Sequence, residues 1–229
     1  MTLYIGIDDT DVIDSRGTGH LARLIADDLS ANYAVIGVIR HQLLFDAHIP
    51  YTAKNSSASI LLDANSDALD ALFERVKNFM LANFIVGSDP GLAIAANAQQ
   101  DIINFGNQAK TDIVTQSTAR TLAEKHNIRL AGLGGTNGGI IGALASLGLA
   151  ASGNDGRYIR VGTIRDLTGL QSIASLQAAG INSVKTLDGQ IVNSGLVLAD
   201  KLRPSRRNHH PVLFVEATPD GHWLPLKLD

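Results

Sequence analysis

The sequence predicts an α/β protein with α+β character toward its C-terminus. Three observations carry this. Apolar segments of strand length alternate with amphipathic helical stretches through most of the chain. An apolar strand at the N-terminus runs straight into a cluster of carboxylates, Gly6-Ile7-Asp8-Asp9-Thr10-Asp11, and then into a helix. Beyond residue 153 the texture becomes strand-rich, with a single helix interrupting it.

The elements follow in order. The first strand covers residues 3–8. Leu21, Leu24, Ile25 and Leu29 then read as one helical face, with Arg23, Asp27 and Asp28 elsewhere. Residues 34–40 alternate in apolar character as a second strand, and a loop carrying Ile49-Pro50-Tyr51-Thr52-Ala53-Lys54-Asn55 leads to a third at 58–62. Ser66 is a good N-cap for a long helix whose stripe is Leu69, Leu72, Phe73, Val76 and Met80. Gly87-Ser88-Asp89-Pro90-Gly91 marks a turn before a short strand at 92–96. Helices are expected near 98–106 and 113–126. A short apolar segment at 130–133 ends in Gly134-Gly135-Thr136-Asn137-Gly138-Gly139, which opens a helix of small residues at 140–149. Past the turn cluster at 153–156, strands are expected at 158–164, 185–187, 190–192 and 212–217, and a helix at 168–178. That cluster sets the expected boundary between an α/β lobe at 1–153 and a smaller lobe at 154–229.

Composition narrows the function classes. At 229 residues the chain is long enough for a sizeable core. With no cysteine, disulfides, zinc ribbons and thiol nucleophiles are excluded from it. A net charge of −3 gives no general attraction to nucleic acid. The N-terminus reads as a strand rather than a signal segment, and no apolar run approaches a membrane span, so a cytoplasmic protein with no membrane partner is expected. One local exception is basic: Lys201, Arg203, Arg206, Arg207, His209 and His210 on a Pro-containing loop. It reads chiefly as a solvated surface, with phosphate or RNA contact as the alternative.

The carboxylates carry the main functional signal. Asp8, Asp9 and Asp11 repel one another and raise each other's pKa values, which favours a cation among them. Mg²⁺ with nucleotide phosphates suits such a site, because Mg²⁺ takes one or two carboxylates and leaves its other positions to water and phosphate oxygens. The alternative is an acidic turn at a strand end, with Asp and Thr bonding their own backbone. The second signal is the loop Gly134 to Gly139. A glycine run opening a helix offers unpaired N–H groups to an anion, although it has neither Walker nor Rossmann spacing. Equally, its small residues would allow close helix–sheet packing. Thr18, between Gly17 and Gly19, reads as a phosphate contact, a phosphoryl acceptor or a helix N-cap. His20 reads as a structural or phosphate-neighbouring histidine. Lys54 and Asn55 supply a cation and an amide.

These segments together resemble the catalytic part of the archaeal isoleucine-tRNA agmatinylcytidine synthetase family. The resemblance rests on Gly6 to Asp11, Arg16-Gly17-Thr18, Ile49-Pro50-Tyr51 with Lys54-Asn55, the run from Gly139 through Ile140-Ile141-Gly142-Ala143-Leu144-Ala145, and Pro211-Val212-Leu213-Phe214, in the same order. It implies that the lobe at 1–153 is an ATP-binding, kinase-like α/β lobe and that the smaller lobe at 154–229, packed beside it, is ferredoxin-like or strand-rich. It also implies ATP and Mg²⁺ as cofactors, and phosphorylation of a carbonyl oxygen of a tRNA cytidine that agmatine then displaces. The family's OB-fold and zinc ribbon have no counterpart in these residues, so tRNA is expected as a partner only through another subunit. The basic residues expected after Tyr51 are replaced by Thr52 and Ala53.

The reading that follows is an ATP- and Mg²⁺-dependent phosphotransferase or ligase-like enzyme acting on a small molecule or nucleoside. Asp8, Asp9 and Asp11 would bind the metal, and Thr18 and Lys54 would join them in catalysis. Gly17, Gly19, His20, Asn55, Gly134, Gly135, Thr136, Asn137, Gly138 and Gly139 would hold nucleotide. Three alternatives stay open. One is a haloacid-dehalogenase-type phosphatase, from the spacing of Asp9 and Asp11, with Ile13 against it. Another is a sugar-acid kinase. The last is a non-catalytic nucleotide-sensing or RNA-binding subunit. Association as a homo-oligomer is likewise open.

Overall fold

The computed structural model describes residues 1–49 and 54–228. Pro50, Tyr51, Thr52 and Ala53 of the loop from Ile49 to Asn55 lie outside the described residues. The N-terminal strand is β1 (Thr2–Asp8), followed by helix α1 (Thr18–Leu29) and the long hairpin strands β2 (Ala34–Gln42) and β3 (Ser56–Asp63). Helix α2 (Leu69–Asn83) and strand β4 (Gly91–Ala95) complete a βαββαβ unit. Its strands lie in the order β4-β1-β3-β2, all antiparallel neighbours, which is the split-βαβ or ferredoxin-like arrangement. A ferredoxin-like topology thus sits in the first 95 residues, and of the two expectations for residues 154–229 the strand-rich one describes them.

Alternation along the strands decides which helices cover which face. Leu3, Ile5 and Ile7 turn to one side, where they pack with Leu21, Ile25, Leu29, Leu72, Val76 and Met80 of α1 and α2. The opposite face is covered by α3 (Gln100–Thr111), α4 (Gln116–Lys125) and α5 (Ile140–Ser152), through a cluster that includes Ala93, Phe105, Ala143 and Leu147. Strand β5 (Arg129–Gly132) pairs with β4 at the sheet edge. The small residues of α5 permit close packing: a Cβ on Gly6 would overlap the carbonyl of Ala143, and one on Gly91 would overlap Gly139.

Beyond Gly153, which caps α5 in the left-handed conformation (φ +76°), strand β6 (Arg157–Arg160) joins β2 and extends the same sheet. The chain continues through β7 (Leu170–Ser172), α6 (Ile173–Ala178), β8 (Ser183–Lys185), β9 (Leu196–Leu198), β10 (Ser205–Arg207), β11 (His210–Ala217) and β12 (Trp223–Pro225). The sheet runs β2-β6-β10-β11-β12-β9-β7, with β8 parallel to β11. The result is a mixed α/β fold with a strand-rich C-terminal part.

Several local expectations change for physical reasons. The buried stripe of α1 is Thr18, Leu21, Ala22, Ile25, Ala26 and Leu29, and Leu24 lies off it, 37% exposed. Ser66 starts a short 3₁₀ turn instead of capping α2, and no side chain caps that turn. The stretch 168–178 divides: Ser172 ends β7 and its hydroxyl oxygen caps α6 by accepting from the Ser175 N–H. Strand β6 stops at Arg160, ahead of the tight turn at Gly162 (φ +45°), and Gln190–Val192 contributes only an isolated bridge, Lys185 to Ile191.

The basic segment 201–210 is only partly a solvated surface: Lys201, His209 and His210 are exposed as expected, and Arg206 is not. The segment forms the β10–β11 turn, and Arg206 is buried at 3% exposure, donating to the Ala150 and His209 carbonyls and to the Tyr158 hydroxyl.

Candidate functional site

Strand β1 ends at Asp8, and Asp9 follows with φ +50°, a left-handed conformation that non-glycine residues seldom adopt. This turn aims successive carboxylates into a cleft of about 220 Å³ at the C-terminal end of β1. Asp8 lies on the α5 face, so close to the helix start that a Cβ on Gly142 would overlap its carboxylate. Glycine at 142 is thus what lets the carboxylate reach the cleft.

The 85–89 turn closes the other wall. Ile85 N–H donates to the Thr10 carbonyl at 3.2 Å and Asp89 N–H to the Asp9 carbonyl at 3.1 Å. Asp89 Oδ2 accepts from both the N–H (3.1 Å) and the hydroxyl of Thr136, while its Oδ1 is buried with no hydrogen-bond partner.

Electrostatics follow from this crowding. Burial, with Asp9 and Asp11 adding repulsion, pushes the Asp8 carboxyl up to about 8. Burial and then Asp89 and Asp11 raise Asp9 to about 6. At neutral pH Asp8 therefore holds a proton unless a cation takes its place.

Asp11 behaves differently from its neighbours. Its Oδ1 accepts from the Thr18 N–H at 3.1 Å and the Thr18 hydroxyl at 2.9 Å, satisfying the open start of α1. Gly17 occupies the N-cap position and Thr18 is the first helical residue, so Thr18 is capped by Asp11 and is not itself the cap. The Thr10 N–H and hydroxyl also reach Thr18 Oγ1, at 3.4 and 3.3 Å.

Of the sequence-predicted residues, Asp8, Asp9, Asp11, Thr18, Lys54, Asn55, Thr136, Gly138 and Gly139 line this one cleft. Asn55 donates its side-chain amide to the Leu44 carbonyl at 2.8 Å, which ties the loop together. Gly17, Gly19 and His20 line a neighbouring groove. His20 has its pKa lowered by burial and by Arg16 and Arg23. Gly134, Gly135 and Asn137 pack instead against Pro90, Asp89 and Gly132. The glycine loop embraces Asp89, so one of its N–H groups already has an anionic partner.

Asp89, Asp112 and His48 also line the cleft and were not singled out in the sequence. Only the antiparallel pairing of Asp8 with Gly91 brings Asp89 alongside.

Among the described residues, no group of three or more His, Asp or Glu side chains is arranged to hold a metal ion. Asp8, Asp9 and Asp11 are therefore not gathered into one three-carboxylate group, and Asp11 is committed to α1. A hard divalent cation still fits, because Mg²⁺ needs only one or two protein carboxylates. The raised Asp8 and Asp9 and the orphaned Asp89 Oδ1 are groups that a cation would relieve.

A second polar network lies under the sheet. His41, 0% exposed, meets Asp155 Oδ1 through Nδ1 and Ser59 Oγ through Nε2, both at 2.8 Å, and Asp155 also pairs with Lys110. Burial lowers the His41 pKa, so the ring is neutral. With Ser59 also 0% exposed, this Ser–His–Asp chain fastens β2, β3 and α3 and is closed to substrate.

Fold and site together define a mixed α/β protein with a carboxylate cleft at a strand end. No family model matches the chain. TiaS of Pyrococcus horikoshii, the 2-agmatinylcytidine synthetase of an isoleucine tRNA, is 29% identical over 154 residues, which is 65% of this chain and 36% of that protein. The chain thus spans about a third of the length of the curated relative it matches. Among solved structures, a tRNA fluorescent labeling enzyme and the complex of TiaS with isoleucine tRNA and ATP each align with a TM-score of 0.56 at 24% identity. Each alignment covers 65% of this chain and 36% of the other. The complex of TiaS with isoleucine tRNA, AMPCPP and agmatine aligns with a TM-score of 0.52 at 22% identity. The chain resembles the catalytic part of TiaS, and the structural likeness is one of fold. No helix among the described residues is long and apolar enough to cross a membrane.

Proposed function

We propose that the chain is an ATP- and Mg²⁺-dependent enzyme that activates an oxygen of a small molecule or nucleoside by phosphoryl transfer. The observation carrying this reading is that Asp8, Asp9, Thr18 and Lys54 converge on one cleft with their carboxylates already destabilised. The resemblance to TiaS, solved structures of which contain ATP or AMPCPP, supports the nucleotide.

Phosphoryl transfer needs mostly positioning and charge neutralisation, and a covalent nucleophile is not required. Asp8 and Asp9 would hold Mg²⁺, whose contribution is to neutralise charge on the phosphates. Lys54 offers a cation to the transferring group. The Thr18 hydroxyl, held by Asp11, faces the same space. The apolar wall of Leu43, Ile113, Val114 and Ile141 would exclude water from one side.

Replacing Asp9 with Asn tests the assignment. Metal-dependent nucleotide turnover should fall at least about a hundredfold, in the range found for loss of a charged transition-state contact. Full turnover by the variant would remove Asp9 from the reaction.

A second reading is a nucleotide-sensing subunit without turnover. It is favoured by one observation, that Asp89 already fills part of the glycine loop. Binding of ATP with no product under any condition would select it.

A further inference from the structure

Next to the carboxylate cleft lies a groove of about 650 Å³ with the opposite character. Arg16, Arg23, Arg40, Arg157 and Arg203 converge on it with Lys54, and His20 lies among them. These cations come from the α1 region, β2, the segment before β3, β6 and the segment before β10, so the fold, and not a local run of sequence, collects them. Asp11 is the one carboxylate among the described lining residues. The two cavities share a wall formed by Asp11, Thr18, Lys54 and Ser56.

Gathering this many cations is unfavourable in itself. Arg203 is held below the ordinary guanidinium range by burial and by Arg165, Arg23 and Arg157, and Arg23 by burial and Arg165. Backbone carbonyls meet part of their donor capacity: Arg23 donates to the Gly19 carbonyl at 2.8 Å and Arg203 to the Leu202 carbonyl at 2.7 Å. A guanidinium presents planar paired donors that match phosphate oxygens. The volume is that of a small-ligand site, and the cations face inward on one concavity where an extended strand would need a stripe.

The geometry points to a phosphate-binding subsite in this groove, which holds a compact polyanion with its reacting end at the Asp11–Thr18–Lys54–Ser56 wall. This deepens the reading above and rests on it for the chemistry at that wall. The phosphates belong either to the nucleotide's own triphosphate tail or to a phosphorylated acceptor. In both cases the groove places negative charge beside the cleft where the carboxylates need a counter-cation, so the two halves of a metal–phosphate site adjoin.

The test uses the full chain and titration calorimetry with tripolyphosphate, ATP, and a short single-stranded RNA. Arg203→Gln and the exposed Arg16→Gln should each weaken tripolyphosphate binding about tenfold or more, as expected for loss of a charge-assisted hydrogen bond. Arg75→Gln, at a surface pair with Asp28, should leave it unchanged. Competition between ATP and tripolyphosphate assigns the groove to the nucleotide tail, and simultaneous binding assigns it to the acceptor. Equal tripolyphosphate binding by all variants, or none by the wild type, overturns the subsite. Arginine-dependent RNA binding without tripolyphosphate binding overturns it in favour of an RNA surface. Arginine-dependent tripolyphosphate binding with no binding of ATP keeps the subsite and removes the ATP reading.

Discussion

Asp11 Oδ1 accepts two hydrogen bonds from Thr18, one from its N–H at 3.1 Å and one from its hydroxyl at 2.9 Å. One carboxylate oxygen thus closes the start of α1 and fixes the orientation of a hydroxyl shared by the acidic cleft and the basic groove. Replacing Asp11 with Ala should cost about 1 kcal/mol of stability, the usual worth of a helix cap. Asp11→Asn keeps an acceptor oxygen and should cost less. Urea denaturation of the two variants separates them.

The close approach of β1 to α5 predicts a contrast between two glycines. Gly6→Ala would drive a Cβ into the Ala143 carbonyl, backbone that cannot move without shifting the helix. It should cost roughly 3 kcal/mol or more. Gly142→Ala would meet the Asp8 carboxylate, which can rotate away. That variant should fold yet lose cation-dependent nucleotide binding, as measured by thermal unfolding and calorimetry side by side.

The raised carboxyls predict an inverse pH dependence. Asp8 rises from 3.8 to about 8 and Asp9 from 3.8 to about 6, so the folded state keeps protons that the unfolded chain has released. Their contribution to stability is full below the ordinary carboxyl value and is lost as pH rises through about 6 and then about 8. His41 acts in the other direction: its lowered pKa gives stability above the ordinary imidazole range that declines as pH falls. Without divalent cations, Asp8→Asn should gain stability relative to wild type between about pH 5 and 8, a difference that isolates Asp8 from His41.

The buried network predicts a large stability effect away from the site. Asp155→Ala leaves Lys110 and His41 without their shared acceptor, and should cost about 3 kcal/mol by chemical denaturation. With the folded fraction matched, nucleotide binding should be unchanged.

The parts of this molecule that were legible in the sequence are those set by neighbours along the chain. The strand ending in Asp8, the stripe through Leu72, Val76 and Met80, and the small-residue helix after Gly139 each follow from local periodicity. What was hidden depends on register. Asp89 joins Asp9 because β4 runs antiparallel to β1, and the turn motif containing it gave no sign of that partner. The arginine groove gathers residues from Arg16 to Arg203, so no sequence window contains it. Arg206 looked like a surface cation within a basic run, yet it packs into the fold with Tyr158 because Ala150 and His209 present carbonyls to it. Leu24 shows the limit of periodicity: four leucine and isoleucine positions suggested a stripe that alanines at 22 and 26 in fact share.

The proposed function requires that the Asp8–Asp9 cleft bind ATP with Mg²⁺ and use it. Calorimetric titration of ATP into the full chain, with and without Mg²⁺, followed by anion-exchange separation of the recovered nucleotide, tests this most directly. The expected result is binding that depends on Mg²⁺ and is weakened by Asp8→Asn, with ADP or AMP in the recovered material once an acceptor is supplied. ATP binding that is indifferent to both Mg²⁺ and Asp8, or no binding at all, would contradict it and leave the likeness to TiaS as one of fold alone.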